Sequence, residues 1–141
     1  MTKSVFLRAG LAVLLPWITA ASARANIGED INQLRARYGA FQPVGAQALF
    51  QHEGYSICVY FDGDYSAMEV FTRDGSDKTK TDITSQDIDQ ILALEGDGQE
   101  WKQVTSHSGK PTWLRADNKL IARLSGDTPE EKVFVVMANE K

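Results

Sequence analysis

Apolar positions recur at helical spacing twice along the chain and at strand spacing elsewhere. In "NIGEDINQLRARYG", Ile27, Ile31, Leu34 and Tyr38 follow i, i+4, i+7, i+11 and so share one helix face. Glu29 and Asp30 stand at its start, where the helix dipole favours anions, and Gly39 is placed to stop it. "ITSQDIDQILALEG" predicts a second helix: Thr84 fits the N-cap with Asp87 three residues on, Ile83 and Ile88 flank the cap, and Gly96 ends it. Ile88, Ile91 and Leu92 form its apolar stripe.

Between the helices lies "YSICVYFDGDYSAMEVF", two strand-like runs around Asp62-Gly63. A two-residue type I′ loop at Asp62-Gly63 pairs Val59 with Ser66, Ile57 with Met68 and Tyr55 with Val70. One face then carries Tyr55, Ile57, Val59, Phe61, Met68 and Val70, and the other Ser56, Cys58, Tyr60, Tyr65, Ala67 and Glu69. A three-residue loop would set Glu69 opposite Ile57 on the apolar face, a desolvation cost with no evident partner, and is rejected on that ground. A four-residue loop keeps the same parity.

The remainder alternates strands and turns: "WKQVT", "TWLR", "KLIARL" and "KVFVVM". Trp113, Leu120, Ala122 and Leu124 share a face across the Asp117-Asn118 turn. Val133 to Met137, apolar throughout, reads as a central strand covered on both sides. Strand runs interrupted by a helix define an α+β fold: two short helices on an antiparallel sheet of about six strands. A shift of 57 residues lays Asp30, Ile31, Leu34 and Gly39 on Asp87, Ile88, Ile91 and Gly96, which raises a duplicated helix-plus-meander unit; the strands do not align at that offset.

The first 25 residues change the picture of where the chain goes. Lys3 and Arg8 precede an apolar run from Ala9 to Ala21, and Ala23-Arg24-Ala25 fits a small-x-small cleavage site, so residues 1–25 read as a secretory signal peptide. The run is shorter than the ~20 residues a membrane span needs, and Pro16 interrupts it. The expectation is one α+β domain at residues 26–141, periplasmic or extracellular, with no integral anchor after cleavage. Those first residues hold three basic side chains and no acid, leaving 12 basic against 19 acidic side chains, a net charge of −7. Such a domain is a poor partner for nucleic acid or an anionic membrane. Cys58 is the sole cysteine, so no internal disulfide forms, and its place in an apolar strand predicts a buried, inert thiol.

"LRARYG", "GYSICVYFDG", "TSQDIDQILALEGDGQEW" and "WLRADNKLIARL" together resemble a pattern found in small secreted bacterial proteins: a leading helix ending Arg-Tyr-Gly, a glycine-turn hairpin, a short helix stepping through glycine to tryptophan, then Trp-x-x-x-Asp. The resemblance covers most of the residues after the leader. It implies export and one fold, and carries no activity and no functional residue. The layout also resembles, at fold level only, helix-plus-sheet inhibitor domains of the beta-lactamase-inhibitor kind.

Candidate chemistry is sparse. Asp62, Asp64, Asp74 and Asp77 lack calcium-loop spacing, with Lys78 and Lys80 interposed, and turn aspartates have local backbone work to do. His52 and His107 lack companions at zinc spacing. No Gly-x-Ser-x-Gly motif occurs, and Cys58 lacks a protease signature. Trp101 and Trp113 read as core anchors. No catalytic residue, metal site or cofactor is assigned. The expected role is a non-catalytic binding domain for a protein or cell-envelope component, with Tyr60, Tyr65 and Glu69 on the mixed hairpin face as binding candidates. The rival is a small hydrolase assembled from dispersed Asp, His and Cys residues.

Overall fold

A computed structural model describes residues 27–76 and 82–140. The expected signal peptide, Asp77, Lys78 and Lys80 lie outside the described residues. Helix α1 (Ile31–Tyr38) leads into β1 (Phe41–Val44), β2 (Gln47–His52), β3 (Tyr55–Asp62) and β4 (Tyr65–Arg73). Helix α2 (Ser85–Glu95) leads into β5 (Trp101–Val104), β6 (Thr112–Arg115), β7 (Leu120–Ser125) and β8 (Val133–Ala138). All eight strands form one antiparallel sheet in the order β1-β2-β3-β4-β8-β7-β6-β5. The order is palindromic: each half is a helix followed by a four-stranded meander, and the halves meet along β4 and β8. The fold is α+β with an antiparallel sheet.

The expected count of about six strands is corrected to eight among the described residues. "FQPV", read as a lead-in, is the edge strand β1, where Pro43 sits opposite Ala48. Proline lacks a donor for the ladder and is tolerated at an edge, which is why composition masks this strand.

Both helix starts are built by their caps. The Asp30 carboxylate accepts from the Asn32 and Gln33 amides at 2.8 and 3.0 Å, and the Gln33 side chain accepts from the Asp30 amide. Thr84 and Asp87 form the reciprocal box on α2, with Ile83 and Ile88 buried beside it as expected. The apolar faces of both helices join one core with the sheet: Leu34 from α1, Ile88, Ile91 and Leu92 from α2, and Phe50, Ile57, Phe71, Phe134 and Val136 from the strands. Trp101 and Trp113 pack against that core half-buried, Trp113 edge-on to Phe134 at 5.4 Å.

The central hairpin departs from its expected register. Its loop is Gly63-Asp64, closed by Asp62 opposite Tyr65 and Phe61 opposite Ser66. Gly63 has φ +61° and Asp64 an ordinary negative φ, the pattern of a type II′ turn instead of type I′. The register shifts between Tyr60 and Phe61, leaving Ala67 as a bulge without a partner. Val59 then faces Glu69, and Ile57 faces Phe71. The net change is odd, so the two faces of β4 exchange: Ser66, Glu69 and Phe71 point into the core, and Met68 and Val70 point away.

Two glycines separate backbone strain from steric clash. At Gly63 a Cβ would meet nothing within 4 Å, whereas at Gly126, φ +101°, it would fall 2.3 Å from the Glu131 carbonyl oxygen. Gly63→Ala therefore bears only the left-handed backbone cost, roughly 1–2 kcal/mol. Gly126→Ala bears that cost plus displacement of the Glu131–Lys132 backbone. Urea denaturation should show Gly126→Ala losing clearly more stability than Gly63→Ala; equal losses would contradict the close approach at Gly126.

Candidate functional site

Two polar clusters sit where the helices meet the sheet. At the end of α1, the Tyr38 hydroxyl lies 2.9 Å from Glu69 Oε2 on β4 and 2.9 Å from Glu95 Oε1 at the end of α2. Both glutamates are 0% exposed. One phenol proton can serve one carboxylate. The second short contact requires the other carboxyl to bring its own proton and donate to the tyrosine oxygen. Burial first, and the neighbouring Glu95 second, push Glu69 well above the usual carboxylate range. Burial and the two carboxyls likewise raise Tyr38. Around the trio stand the His52 ring, 5.2 Å from that of Tyr38, and Arg37, which binds Glu29 at 2.6 Å. Arg115 on β6 donates to the Glu95 backbone carbonyl at 3.3 Å. The two carboxyls and the phenol thus form one buried hydrogen-bonded cluster in which Glu69 keeps its proton above the ordinary carboxylate range.

The second cluster fastens the start of α2. Asp87, 2% exposed, accepts from the Tyr55 hydroxyl at 2.7 Å, from Arg73, and from the amide and hydroxyl of Thr84 at 2.7 and 2.8 Å. Burial works against its charge, but these donors outweigh it and hold Asp87 below the ordinary aspartate range. The Arg73 guanidinium also stacks 5.2 Å from the Tyr55 ring centre.

Both helices contribute to the core on one face of the sheet, and the opposite face has no helix over it among the described residues. Two paired rows run across that open face. One is Leu49, Cys58, Val70, Val135, Arg123 and Thr112; the other is Tyr60, Met68, Met137, Ile121 and Leu114. Neither row contains a carboxylate, in a chain with 19 acids. Most of these side chains are half-buried. Val133, Val135 and Met137 belong to this face, so β8 is central as expected but not covered on both sides. Two hollows of about 350 Å³ each open here and share Ile121 and Arg123. The loop after β5 borders one of them with Ser106, His107 and Ser108, and Glu140 borders the other.

The structure separates the three expected binding residues. Tyr60 lies on the open face opposite Met68, raised above the usual tyrosine range chiefly by Cys58 beside it. Tyr65, 58% exposed, stands at the hairpin tip. Glu69 is corrected from the surface to the core: the partner whose absence argued against burial is Tyr38, 31 residues away. Cys58 is half-buried on the open face instead of buried, its sulfur donating to Gln47 at 3.3 Å. The signal that would have found the open face is the acid-free run of outward positions, legible once β4's parity is known.

The histidines and the cysteine named for dispersed chemistry lie apart among the described residues. His52 points to the helix side of the sheet and Cys58 to the open side. His107 belongs to the loop before β6, four strand spacings from β3, or ~19 Å. Among the described residues no three His, Cys, Asp or Glu side chains converge as metal ligands. Asp74 caps its own turn, accepting from the Ser76 amide at 2.8 Å.

No family model and no curated protein matches the chain. Among solved structures it is similar to a cysteine-rich secretory protein from Staphylococcus aureus subsp. aureus Mu50, at 13% identity and a TM-score of 0.40. The match covers 82% of this chain and 44% of that one, so the chain spans less than half that protein's length. A likeness this loose carries no assignment of fold or role.

The Glu69 proton gives stability a defined pH dependence. Glu69 binds its proton more tightly folded than unfolded, so its contribution is complete below the unfolded glutamate value of about 4.3 and is lost as pH rises toward the higher folded value. Asp87 acts in reverse, contributing above the unfolded aspartate value of about 3.9 and failing as pH falls through its lower folded value. Melting temperature should therefore peak in mild acid and fall by pH 8. Glu69→Gln, whose amide can donate to Tyr38 at any pH, should flatten the alkaline decline; an unchanged slope would place the proton elsewhere. Tyr38→Phe should cost about 1–3 kcal/mol in urea denaturation, since it strips both buried carboxyls of their common partner.

Proposed function

We propose that this chain is a non-catalytic binding domain of the bacterial periplasm or exterior that engages a protein partner through the open face of its sheet. The observation that carries the reading is the apolar, acid-free character of the two central rows of that face in an otherwise acidic molecule. Charge is what keeps a solvent-facing sheet soluble and single, and acid is the commonest charge in this chain. Its omission from the central rows fits a surface that spends its working life covered. The opposed placement of Cys58 and His52 weighs against the hydrolase alternative. Export rests on the leader sequence, and a cell-envelope protein is the class of partner that location supplies.

Two measurements bear on this reading. A photo-crosslinking residue placed at Val70, in the protein expressed with its leader in the bacterial host, should give a discrete adduct. The same residue at Gln33, exposed on α1, should not. Adducts from Gln33 alone would move the binding surface to the helices. Mass spectrometry of the recovered protein should show Asn26 as the first residue, and an intact Met1 in the cytoplasm would sink the assignment to the envelope.

A further inference from the structure

We infer that the partner presents an apolar segment carrying a carboxylate, and that Arg123 is the residue that receives it. This deepens the reading above and rests on it. The sheet contains three arginines. Arg73 pairs with Asp87 and Arg115 pairs with Asp117 at 2.7 Å, whereas Arg123 pairs with no carboxylate among the described residues. Arg123 is exposed and lies at the junction of the two hollows, with Ile121 common to both. On one side stand Met68 and Met137, adaptable apolar side chains suited to a segment of varied shape. On the other are Val104 and the polar loop from Ser106 to Ser108. Burying this guanidinium under a purely apolar partner would leave an unpaired charge, a heavy cost that a carboxylate removes.

Two features narrow the partner further. The acidic net charge of the chain repels a polyanion, so one carboxylate on an apolar segment fits better than an acidic stretch. A second copy of this chain would bring two Arg123 side chains toward central rows without acids, with only Glu140 at the border of one hollow. The two rows across six strands also span only ~29 × 14 Å from strand and residue spacings, roughly 400 Å², below the ~800 Å² per partner of a standard stable interface. The footprint suits a short segment.

The test uses two probes on the folded domain, acetyl-Leu-Met-Leu as the free acid and as the C-terminal amide, read by backbone amide shifts and titration. Both should shift amides of β4, β7 and β8, the acid binding about tenfold more tightly through its charge-assisted contact. Arg123→Gln should erase that preference while the amide still binds, and Glu140→Gln should leave the preference in place. Equal binding of acid and amide to this face would overturn the role of Arg123 and leave the binding face standing. Shifts confined to the helices, or none with either probe, would overturn the binding face itself. A concentration-dependent dimer in sedimentation, with shifts in β7 and β8 and no peptide present, would replace the segment by a second copy.

Discussion

The Tyr38 hydroxyl joins three elements: the end of α1, the centre of β4 and the end of α2. A buried glutamate alone is destabilising, and two side by side are worse, yet one carboxyl proton and one phenol turn the pair into a fixed hydrogen-bonded bridge. The bridge spans both halves of the palindromic sheet. Tyr38 and Glu95 are 57 residues apart, the same offset at which the two helix signals overlay. The last residue of each helix therefore occupies the corresponding place in its half, and the two meet over the β4–β8 seam.

That bridge also sets what the rest of the sheet presents. Glu69 can face inward only if Met68 and Val70 face outward, so holding an acid in the core exports apolar side chains to the open face. The same parity gathers Val135, Met137 and Ile121 beside them through continuous pairing. The polar interior and the apolar exterior of this domain are two sides of one register.

Local signals were legible in the sequence. Thr84 with Asp87, Ile83 with Ile88, and Gly39 and Gly96 mark helix ends by interactions within a few residues, and the structure places them as read. The uniform apolar run of β8 identified a central strand, and the strand runs between helices identified the α+β class. Long-range pairing was not legible. The placement of Glu69 was decided by Tyr38, far away in sequence, and local desolvation reasoning pointed the other way. A bulge gives no compositional sign, so Ala67 shifted the register unseen. Of the residues named for binding, Tyr60 remains on the open face, while Arg123 drew no notice because an arginine in "KLIARL" looks like any solvated strand position.

The unpaired Ala67 has a consequence for how this family of shapes can change length. It takes up one residue between the hairpin tip and the body of the sheet, so the tip keeps its own phase and the body keeps another. Tip variants can gain or lose residues there and be corrected by gain or loss of the bulge, with Glu69 and Phe71 undisturbed. β8 has no such slack: its pairs with β4 and β7 run without interruption, and one inserted residue would turn Phe134 and Val136 out toward water. Evolutionary length variation should therefore collect at the first half's hairpin and spare the last strand.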